Sequence, residues 1–476
     1  MPTRRATRGH PVAIAERLTR QRRRRKCILS GAPSRVGPRL RGYHQGALAY
    51  GACIVFEKLR LDPEQTLILT KRIRNLIGVV LVGLALAACS PDAEIRQSPG
   101  ISDDAILIGS SSALTGHAGF LGSQYTLGSK VWFNEVNAAG GIHGRRIDFL
   151  TYDDAYEPDK TVANSRRLIA EDGVFMLFDY VGTPTSVQII EMVHDEDIPA
   201  FGFLTGAEAL RTPFRPNMFH VRASYYHEAE GAIAYFVDHL GFEKIAVMYQ
   251  DDAFGLAVLA GVQLSMRRRG LEIIAIDKFA RGSLELDRPV DTLSNSGADA
   301  VILVGTYTPL AKFIKDVHEA GHRPYFHTVS FVGSGAFGRA ILKEGVDRSQ
   351  FDRIIVTQVV PSPYSEDLAA VREYQAQLAK HFPEETPNFV SLEGYINARV
   401  LTRILSATGR NLSRETMRRT IEGMSRIDVG IGMPVTFGLF DHSGQDDIFY
   451  SRLGENGRFS VFDLPSEESA EHAVER

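Results

Sequence analysis

The chain has few cysteines and no apolar stretch long enough to span a membrane comfortably. Its 476 residues include only Cys27, Cys53 and Cys89, too few for a disulfide framework or for a multi-cysteine zinc or iron–sulfur site. A strongly apolar stretch at 76–88 has 13 residues, whereas a membrane span needs ~20. A chain of this length can nevertheless bury enough apolar surface to fold without cross-links.

Residues 71–89 show the order of charged, apolar and small residues that is typical of a secretory signal peptide. Basic residues at 71–74 precede the apolar stretch 76–88, which ends in Leu-Ala-Ala just before Cys89. This ending resembles the lipobox of bacterial lipoproteins. The resemblance implies cleavage before Cys89, lipidation of Cys89 and a periplasmic protein that is lipid-anchored to a bacterial membrane. The alternative is an ordinary signal peptide followed by a chance cysteine.

The segment before this signal is strongly basic. Residues 1–75 hold 18 Lys and Arg against 4 Asp and Glu, so they carry +14, and the rest of the chain carries −17 of the overall −3. Such a segment is typical of nucleic-acid-binding arms, but an exported, acidic protein has no nucleic acid to bind. We therefore interpret residues 1–70 as an untranslated or disordered basic extension and expect no nucleic-acid partner.

Strand-like and helix-like segments alternate from residue 105 onward, and this alternation favours parallel sheets with crossover helices. Residues 89–103 are polar, lack periodicity and read as a tether. The predicted strands are 105–109, 147–152, 175–178, 200–203, 244–249, 273–276 and 300–304. The predicted helices are 123–138, 158–171, 185–195, 227–240, 254–269 and 310–320.

The alternation restarts near residue 227, so the sequence predicts two α/β units of similar plan. Roughly 370 folded residues are more than one core usually contains. Ligands of open α/β sheets bind at the carboxyl ends of the strands. Two sheets that face each other would place those ends across a cleft, and the loops after the strands are the candidate site.

Several of these segments resemble the type I periplasmic binding proteins, most closely the leucine/isoleucine/valine-binding subfamily that serves ABC importers. They are Ala-Leu-Thr-Gly at 113–116, the long segment 134–144, Tyr-Asp-Asp at 152–154 and Pro158. Within the long segment, Gly140 and Gly141 end a helix and turn the chain, so the motif supports the fold more than the ligand.

The resemblance implies an α/β fold of two Rossmann-like lobes with parallel sheets, joined by a multi-strand hinge. On this reading the N-terminal lobe is 104–224 plus 357–436, and the C-terminal lobe is 225–356 plus 437–462. Residues 463–476 would form a disordered tail. The resemblance also implies a small-molecule ligand, an ABC transporter permease as partner, and no cofactor or metal.

In the relatives, loops after the third and fourth strands supply hydroxyls and N–H groups to a ligand carboxylate. The matching segments contain Gly182, Thr183 and Thr185, and then Phe203 and Thr205. The first segment opens a predicted helix, whose N-terminus would attract an anion. The alternative is that Thr183 and Thr185 only cap that helix. Phe203 stands where relatives carry small residues, which suggests a reshaped pocket.

The second lobe should close over the ligand with aromatic residues. By resemblance, Phe254 and Tyr307 take the positions of aromatics that reach the ligand, although ordinary core packing would also explain both. Tyr225 follows Arg222 near the first crossing between lobes and either lines the cleft or pads the hinge.

The chain departs from its amino-acid-binding relatives at Ser330, which aligns with the acidic residue that holds the ligand ammonium. A buried ammonium without an anionic partner is costly. Either another acid serves, with Asp251, Asp252 and Glu228 as candidates, or the ligand is not a standard amino acid. Aromatic or aliphatic carboxylates and amides then become candidates.

Two catalytic signatures are set aside. Residues 318–322 spell HExxH, but Gly321 should end the helix and move His322 away from the face of His318, so we predict no zinc site. The GxGxxG at 333–338 lies late in the chain rather than in a first β–α turn, so we predict no dinucleotide site.

These features predict a solute-binding lipoprotein that captures a small polar ligand, an amino acid, amide or carboxylate, by hinge closure and delivers it to an ABC importer. The alternative is a ligand-sensing receptor module without a transport role. A hydrolase is disfavoured because no nucleophile–base pair occurs at a recognisable spacing, and we predict that the protein is not an enzyme.

Overall fold

A computed structural model of the protein describes residues 98–464. The predictions for the basic extension, the signal peptide, Cys89 and most of the tether and tail concern residues outside this range. Within it, no helix has the length and apolar character that crossing a membrane requires.

The described chain forms two sheets, as predicted. The first sheet has the order β2-β1-β3-β4-β5, and all its pairings are parallel. The second has the order β12-β11-β10-β9-β8-β6-β7 and is parallel except at β11 and β12. The strands are β1 Ala105–Ser112, β2 Arg146–Asp153, β3 Met176–Phe178, β4 Ala200–Phe201, β5 Met218–Phe219, β6 Ile245–Gln250, β7 Ala275–Phe279, β8 Ala300–Val304, β9 Tyr325–Thr328, β10 Ile354–Gln358, β11 Phe449–Leu453 and β12 Phe459–Phe462.

Helices connect the parallel strands. They are α1 Gly119–Ala138, α2 Pro158–Ala170, α3 Thr183–Ser186, α4 Ile190–Asp195, α5 Tyr225–Ile233, α6 Ala253–Arg268, α7 Asp287–Ser294, α8 Tyr307–Glu319, α9 Ser334–Glu344, α10 Ala369–His381, α11 Phe389–Thr408 and α12 Arg414–Gly423. Local chemistry sets several starts: Pro158 opens α2, and the Ser224 and Asp252 side chains accept backbone N–H groups at the starts of α5 and α6.

The chain crosses between the two sheets three times, at 219–225, 358–369 and 423–449. Helix α11 returns to the first sheet and packs closely along α1. A Cβ on Gly128 would lie 1.8 Å from the Ser391 carbonyl oxygen, and one on Gly394 would lie 2.1 Å from that of Tyr125. These two glycines therefore allow the close approach that fixes the late helices to the first lobe.

Two predicted elements differ from the structure. The predicted helix at 185–195 is broken into α3, a 3₁₀ turn at 187–189 and α4, and the break falls at Ile189, whose φ of −100° and ψ of 2° lie outside the α-helical region. The predicted strand at 273–276 lies at 275–279 instead, where exposed and buried residues alternate along the edge of the second sheet.

Candidate functional site

The candidate site lies where loops at the carboxyl ends of the two sheets meet. Thr183 follows β3, and Thr205 follows β4; their hydroxyl oxygens are 2.7 Å apart. Tyr225, at the start of α5, is fully buried beside them, and its ring centroid lies 5.4 Å from that of Phe254. The structure thus brings together four of the residues predicted to bind ligand.

The sequence did not single out Tyr156, whose buried ring lies against Gly182. The φ of Gly182 is +95°, and a Cβ there would lie 2.1 Å from the ring of Tyr156. Tyr156 lies three residues after β2 and is fully buried. Position 182 therefore requires glycine both for its backbone conformation and for the space that Tyr156 occupies.

Four rings from both lobes form a continuous aromatic cluster, made of Tyr156, Tyr225, Phe254 and Phe331. The ring of Tyr156, from the first lobe, lies 5.9 Å from that of Phe331. Phe331 lies 4.7 Å from Phe254, which in turn reaches Tyr225. These centroid distances are those of favourable aromatic pairs. The cluster spans the boundary between the lobes.

Two tyrosines of this cluster and four other described residues carry buried polar atoms without hydrogen-bond partners. Within the described part of the chain, no partner of normal geometry is found for Ser112 Oγ, Tyr156 Oη, Ser186 Oγ, Tyr225 Oη, Gln250 Oε1 and Thr306 Oγ1. Ser112 and Gln250 end strands β1 and β6, and Tyr156 and Thr306 follow β2 and β8 by two or three residues. Ser186 ends α3, and Tyr225 begins α5. A buried polar atom without a partner costs about 1–3 kcal/mol, so these six atoms are candidates to hydrogen-bond a ligand.

Burial dominates the electrostatics of the tyrosines here. It raises the pKa of Tyr225 to about 12, against the lowering effects of the Arg222 charge and of the neighbouring Thr205 and Thr183 hydroxyls. Burial likewise raises the pKa of Tyr156 well above its usual value. Both phenols are therefore neutral at physiological pH and can donate a hydrogen bond.

Phe203 and Tyr307 make aromatic contacts outside the aromatic cluster, whereas Thr185 lies beside Gly182 and close to the Tyr156 ring. The Thr185 hydroxyl donates a hydrogen bond to a carbonyl of its own turn. Because α3 has only four residues, the helix dipole predicted there is small. Phe203 packs against Tyr180 and His220 in the core of the first lobe. Tyr307 is half-buried and meets Phe120 of the first lobe, with ring centroids 6.3 Å apart.

Ser330 belongs to a buried ionic network at the hinge. Its backbone N and its Oγ donate to Glu228 at 2.7 and 2.9 Å, and Arg222 donates to its Oγ. Arg222 Nη2 also pairs with Glu228 Oε1 at 3.1 Å, and Arg222 Nη1 lies 3.4 Å from Glu393 Oε1. The network joins the hinge to α5 and β10 in the second lobe and to α11 in the first.

Two carboxyls compete for Arg222. Burial lowers the pKa of Arg222, but Glu393 and Glu228 outweigh that effect and raise it, so Arg222 stays charged. Burial raises the pKa of Glu393 to about 7; Arg222 lowers it and Glu228 raises it further. Glu393 therefore titrates near neutrality, and the network gains or loses one charge in the physiological range.

The acids that could pair with a ligand ammonium already have hydrogen-bond or ion-pair partners within the protein. Both Glu228 oxygens are used, because Oε2 also accepts from Thr357 Oγ1 at 2.8 Å. Asp252 accepts the backbone N–H groups of Phe254 and Gly255 and the Gln250 amide. Asp251 is exposed and pairs with Lys278 at 2.8 Å.

The two catalytic signatures have structural roles. Helix α8 ends at Glu319, and Gly321 has a φ of +88°, as predicted from the sequence. The described residues contain no group of three or more His, Cys, Asp or Glu placed to hold a metal ion. In the GxGxxG segment, Gly338 packs against the Gly457 carbonyl, and Gly333 against Leu121 across the lobe boundary.

Comparisons with known proteins agree with this geometry. A model of the periplasmic binding protein family matches residues 105–458. An amino acid binding protein of Pseudomonas aeruginosa is 24% identical over 218 residues, which are 45% of this chain and 58% of that protein. Leu/Ile/Val-binding protein homolog 7 of Brucella abortus is 21% identical over 387 residues, or 77% of this chain and 91% of that protein.

Among solved structures, a "possible leucine/isoleucine/valine-binding protein" from Rhodopirellula baltica superposes with a TM-score of 0.71 and 29% identity. The superposition covers 76% of this chain and 98% of that one. The two mostly parallel α/β sheets, the matching family model and these relatives lead to one assignment. The chain belongs to the periplasmic binding proteins, in their type I, branched-chain amino acid group.

Proposed function

We propose that this protein captures a small polar organic molecule, an amino acid, amide or carboxylate, between its two lobes outside the cytoplasm and delivers it to an ABC importer. It acts as a binding protein rather than an enzyme. Relatives named for amino acid or Leu/Ile/Val binding support the ligand class in general terms.

The observation that carries this proposal is that loops of both lobes meet at the aromatic cluster, and that buried hydroxyl and amide atoms of both lobes find no hydrogen-bond partner of normal geometry in the described chain. Tyr156 and Ser186 come from the first lobe, and Gln250 and Thr306 from the second. A ligand held between them would satisfy donors and acceptors of both lobes at once. Its binding energy would then depend on closure, which is how hinge-bending receptors couple binding to shape.

A thermal-shift screen of amino acids, short carboxylates and amides tests the proposal. A ligand that binds only the folded state adds about 2.7 kcal/mol to stability at a hundredfold excess over Kd, so a true ligand will raise Tm measurably. Thr183→Val should weaken that ligand, because it removes a hydroxyl from the pair with Thr205. Thr402→Val is the matched control, because Thr402 is a buried threonine whose partners are Trp132 and the Arg399 carbonyl. Loss of binding in both variants, or no stabilising ligand at all, would contradict the proposal.

The second candidate is a sensing module that reports ligand binding to a partner without transport. Both functions use the same cleft, and they differ in the fate of the ligand. Uptake of the labelled ligand by cells should fall when the gene is deleted if the protein serves an importer. Unchanged uptake together with a lost transcriptional or motility response would favour the sensor.

We further propose that the mature protein begins at Cys89 and is anchored in a bacterial membrane through lipid on that residue. The basis is the order of residues 71–89, which lie outside the described part of the chain. Cys89→Ser should move the protein from the membrane fraction to another fraction or leave it unprocessed. A variant that stays processed and membrane-bound would contradict the anchor.

A further inference from the structure

The first lobe carries a patch of large apolar side chains that is exposed to solvent. Leu439 and Phe440 form the tip of a tight turn at 438–441, and they are 63% and 84% exposed. Phe214 lies beside them, 38% exposed, with its ring centroid 6.2 Å from that of Phe440. We propose that this apolar patch, made of Phe214, Leu439 and Phe440, lies against the phospholipid bilayer that carries the protein. The proposal rests on the lipid anchor proposed for Cys89.

The apolar patch is held at the amino end of an edge strand of the first sheet. His442, two residues after Phe440, donates from Nδ1 to the Met218 carbonyl at 3.2 Å, and Met218 begins β5. The His442 ring also lies 4.7 Å from that of Phe214. Single apolar residues are normal on a protein surface, whereas adjacent ones that form a patch mark a contact site. Because the candidate ligand site lies at the carboxyl ends of the strands, solute capture does not account for the patch.

The tether joins the fold at the same end of the first lobe. Gly100 packs against the start of β3, where a Cβ on it would lie 2.1 Å from the backbone nitrogen of Phe175. Helix α12 runs from this point toward the apolar patch. At its start, Arg414 donates to the Phe175 carbonyl at 2.9 Å. One turn later, Arg418 donates to the side chain of Asn217 at 2.9 Å, just before β5. The tether and the patch therefore lie near opposite ends of one short helix.

The lengths of the tether and of α12 allow the patch to touch the bilayer. Nine residues, 89–97, separate the proposed lipid attachment from the described chain, and nine residues span at most ~30 Å. Helix α12 has 10 residues and is therefore about 15 Å long. A lipid on Cys89 would hold this end of the first lobe close to the membrane surface, with the apolar patch about one short helix away from the tether.

Insertion of apolar side chains, rather than attraction between charges, would stabilise this contact. The neighbouring charges are of both signs, because Arg215 follows Phe214 and Asp441 follows Phe440. Leucine and phenylalanine side chains enter the boundary between head groups and acyl chains, while polar neighbours stay among the head groups. Salt screens interactions between exposed charges, so high salt should leave the contact intact.

Fluorescence quenching by brominated lipids tests the proposal in the full-length, lipid-bearing protein. Phe440→Trp places a reporter on the apolar patch. Ile276→Trp places a reference reporter on β7, the outer edge strand of the second sheet, where Ile276 is 41% exposed. The wild type supplies the signal of Trp132, the one native tryptophan. In vesicles of phosphatidylethanolamine and phosphatidylglycerol, we expect the Phe440→Trp reporter to emit at shorter wavelength and to be quenched by brominated acyl chains, at low and at high salt. The Ile276→Trp reporter should show neither change.

Quenching of neither reporter, or equal quenching of both, would overturn the proposal. A shift of the Phe440→Trp emission that grows with protein concentration at constant detergent, before vesicles are added, would also overturn it, because a second copy of the chain would then cover the patch. Mass spectrometry of the N-terminal peptide tests the anchor separately. A peptide without lipid would contradict the anchor and this contact together, and would leave the solute-binding proposal to the thermal-shift screen.

Leu439→Asn, combined with Phe440→Trp, gives a second readout. The substitution removes apolar area that insertion would bury, so we expect the ratio of quenched to unquenched reporter to fall severalfold. Leu284→Asn in the same background is the matched control, because Leu284 is also an exposed leucine, at 48%, and lies in the second lobe. It should leave the quenching unchanged. Equal quenching in the two double variants would contradict the insertion of Leu439.

Discussion

At the scale of single residues, Arg222 has the largest energetic consequence. Its side chain is fully buried between Glu228 and Glu393. It supplies the positive charge of the ionic network around Ser330. Burying three ionisable groups is favourable only while each is paired. The arrangement makes this position sensitive to any change that removes one partner.

Arg222→Ala should therefore cost about 3–5 kcal/mol of unfolding free energy, because it leaves buried carboxyls without their cation. Urea denaturation measures the loss. Arg146→Ala is the control, since Arg146 pairs with Asp148 at 2.7 Å but on the surface, and such pairs contribute under about 1 kcal/mol. If the two variants lost similar amounts of stability, the buried network would not have the role assigned to it.

Glu393 should give the protein a specific pH dependence. Its folded-state pKa is raised to about 7, above the ordinary carboxyl value, so between about pH 4.5 and 7 the folded state binds a proton that the unfolded state has lost. The contribution of Glu393 to stability is therefore most favourable at low pH and declines as pH rises through 7. Roughly 3 kcal/mol separates the two limits.

Glu393→Gln should remove this slope. Subtracting the stability curves of the two proteins over pH 5–8 isolates Glu393 from the buried histidines His220 and His442, whose pKa values are lowered by burial and which act in the opposite direction. We expect the wild type to lose stability relative to the variant as pH rises. Parallel curves would show that Glu393 does not titrate in this range.

At the scale of elements, much of the fold was predictable because strand and helix periods alternate clearly. The strand at 300–304 and the helix end near Gly321 agree with the structure. The break between α3 and α4 was not predictable, because the non-helical backbone of Ile189 leaves no mark on the apolar period of the sequence.

The candidate site divides in the same way. The sheets fix the positions of the loops that the resemblance pointed to. The grouping of Thr183, Thr205, Tyr225 and Phe254 was therefore predictable. Tyr156 and Phe331 carry weaker signals: one lies just after the Tyr-Asp-Asp segment and the other next to Ser330. Glu228 pairs with Arg222 and accepts a hydrogen bond from Thr357, which lies 129 residues away in the sequence. Only the folded structure therefore shows that this acid already has partners.

Helix α9 allows a test of packing at this scale. A Cβ on Gly338 would lie 1.9 Å from the Gly457 carbonyl oxygen, whereas one on Gly335 in the same helix would make only ordinary contacts, the closest at 3.4 Å. Gly338→Ala should destabilise the protein by about 1–3 kcal/mol through overpacking. Gly335→Ala should be neutral or slightly stabilising, since alanine favours a helix over glycine by up to about 1 kcal/mol. Equal unfolding midpoints for the two variants would show that the hairpin of β11 and β12 moves aside without cost.

At the scale of the whole molecule, the lobes also meet along a rim that begins at the edge of the aromatic cluster. Arg281 of the second lobe pairs with Glu157 of the first at 2.9 Å and donates to the Tyr156 carbonyl at 3.0 Å. On another part of the rim, Phe120 contacts both Tyr307 and the Arg339 guanidinium. Arg281 also lies over the ring of Tyr156, 5.6 Å from its centroid, so these contacts stabilise closure at the edge of the cluster and altering them should shift the opening equilibrium.

Arg281→Glu should shift the protein toward open forms, because it replaces an attraction across the rim by repulsion from Glu157. Small-angle scattering of the ligand-free variant should show a larger radius of gyration than the wild type, and Glu157→Arg on the same chain should restore it by reversing both charges. The control is Arg269→Glu, which breaks the ion pair with Asp238 inside the second lobe and should leave the radius unchanged. Exposed pairs contribute only about 0.2–1 kcal/mol each, so a measurable change requires the open and closed forms to lie close in free energy. If the double variant stayed as expanded as Arg281→Glu, local unfolding near residue 281 would explain the expansion better than hinge opening.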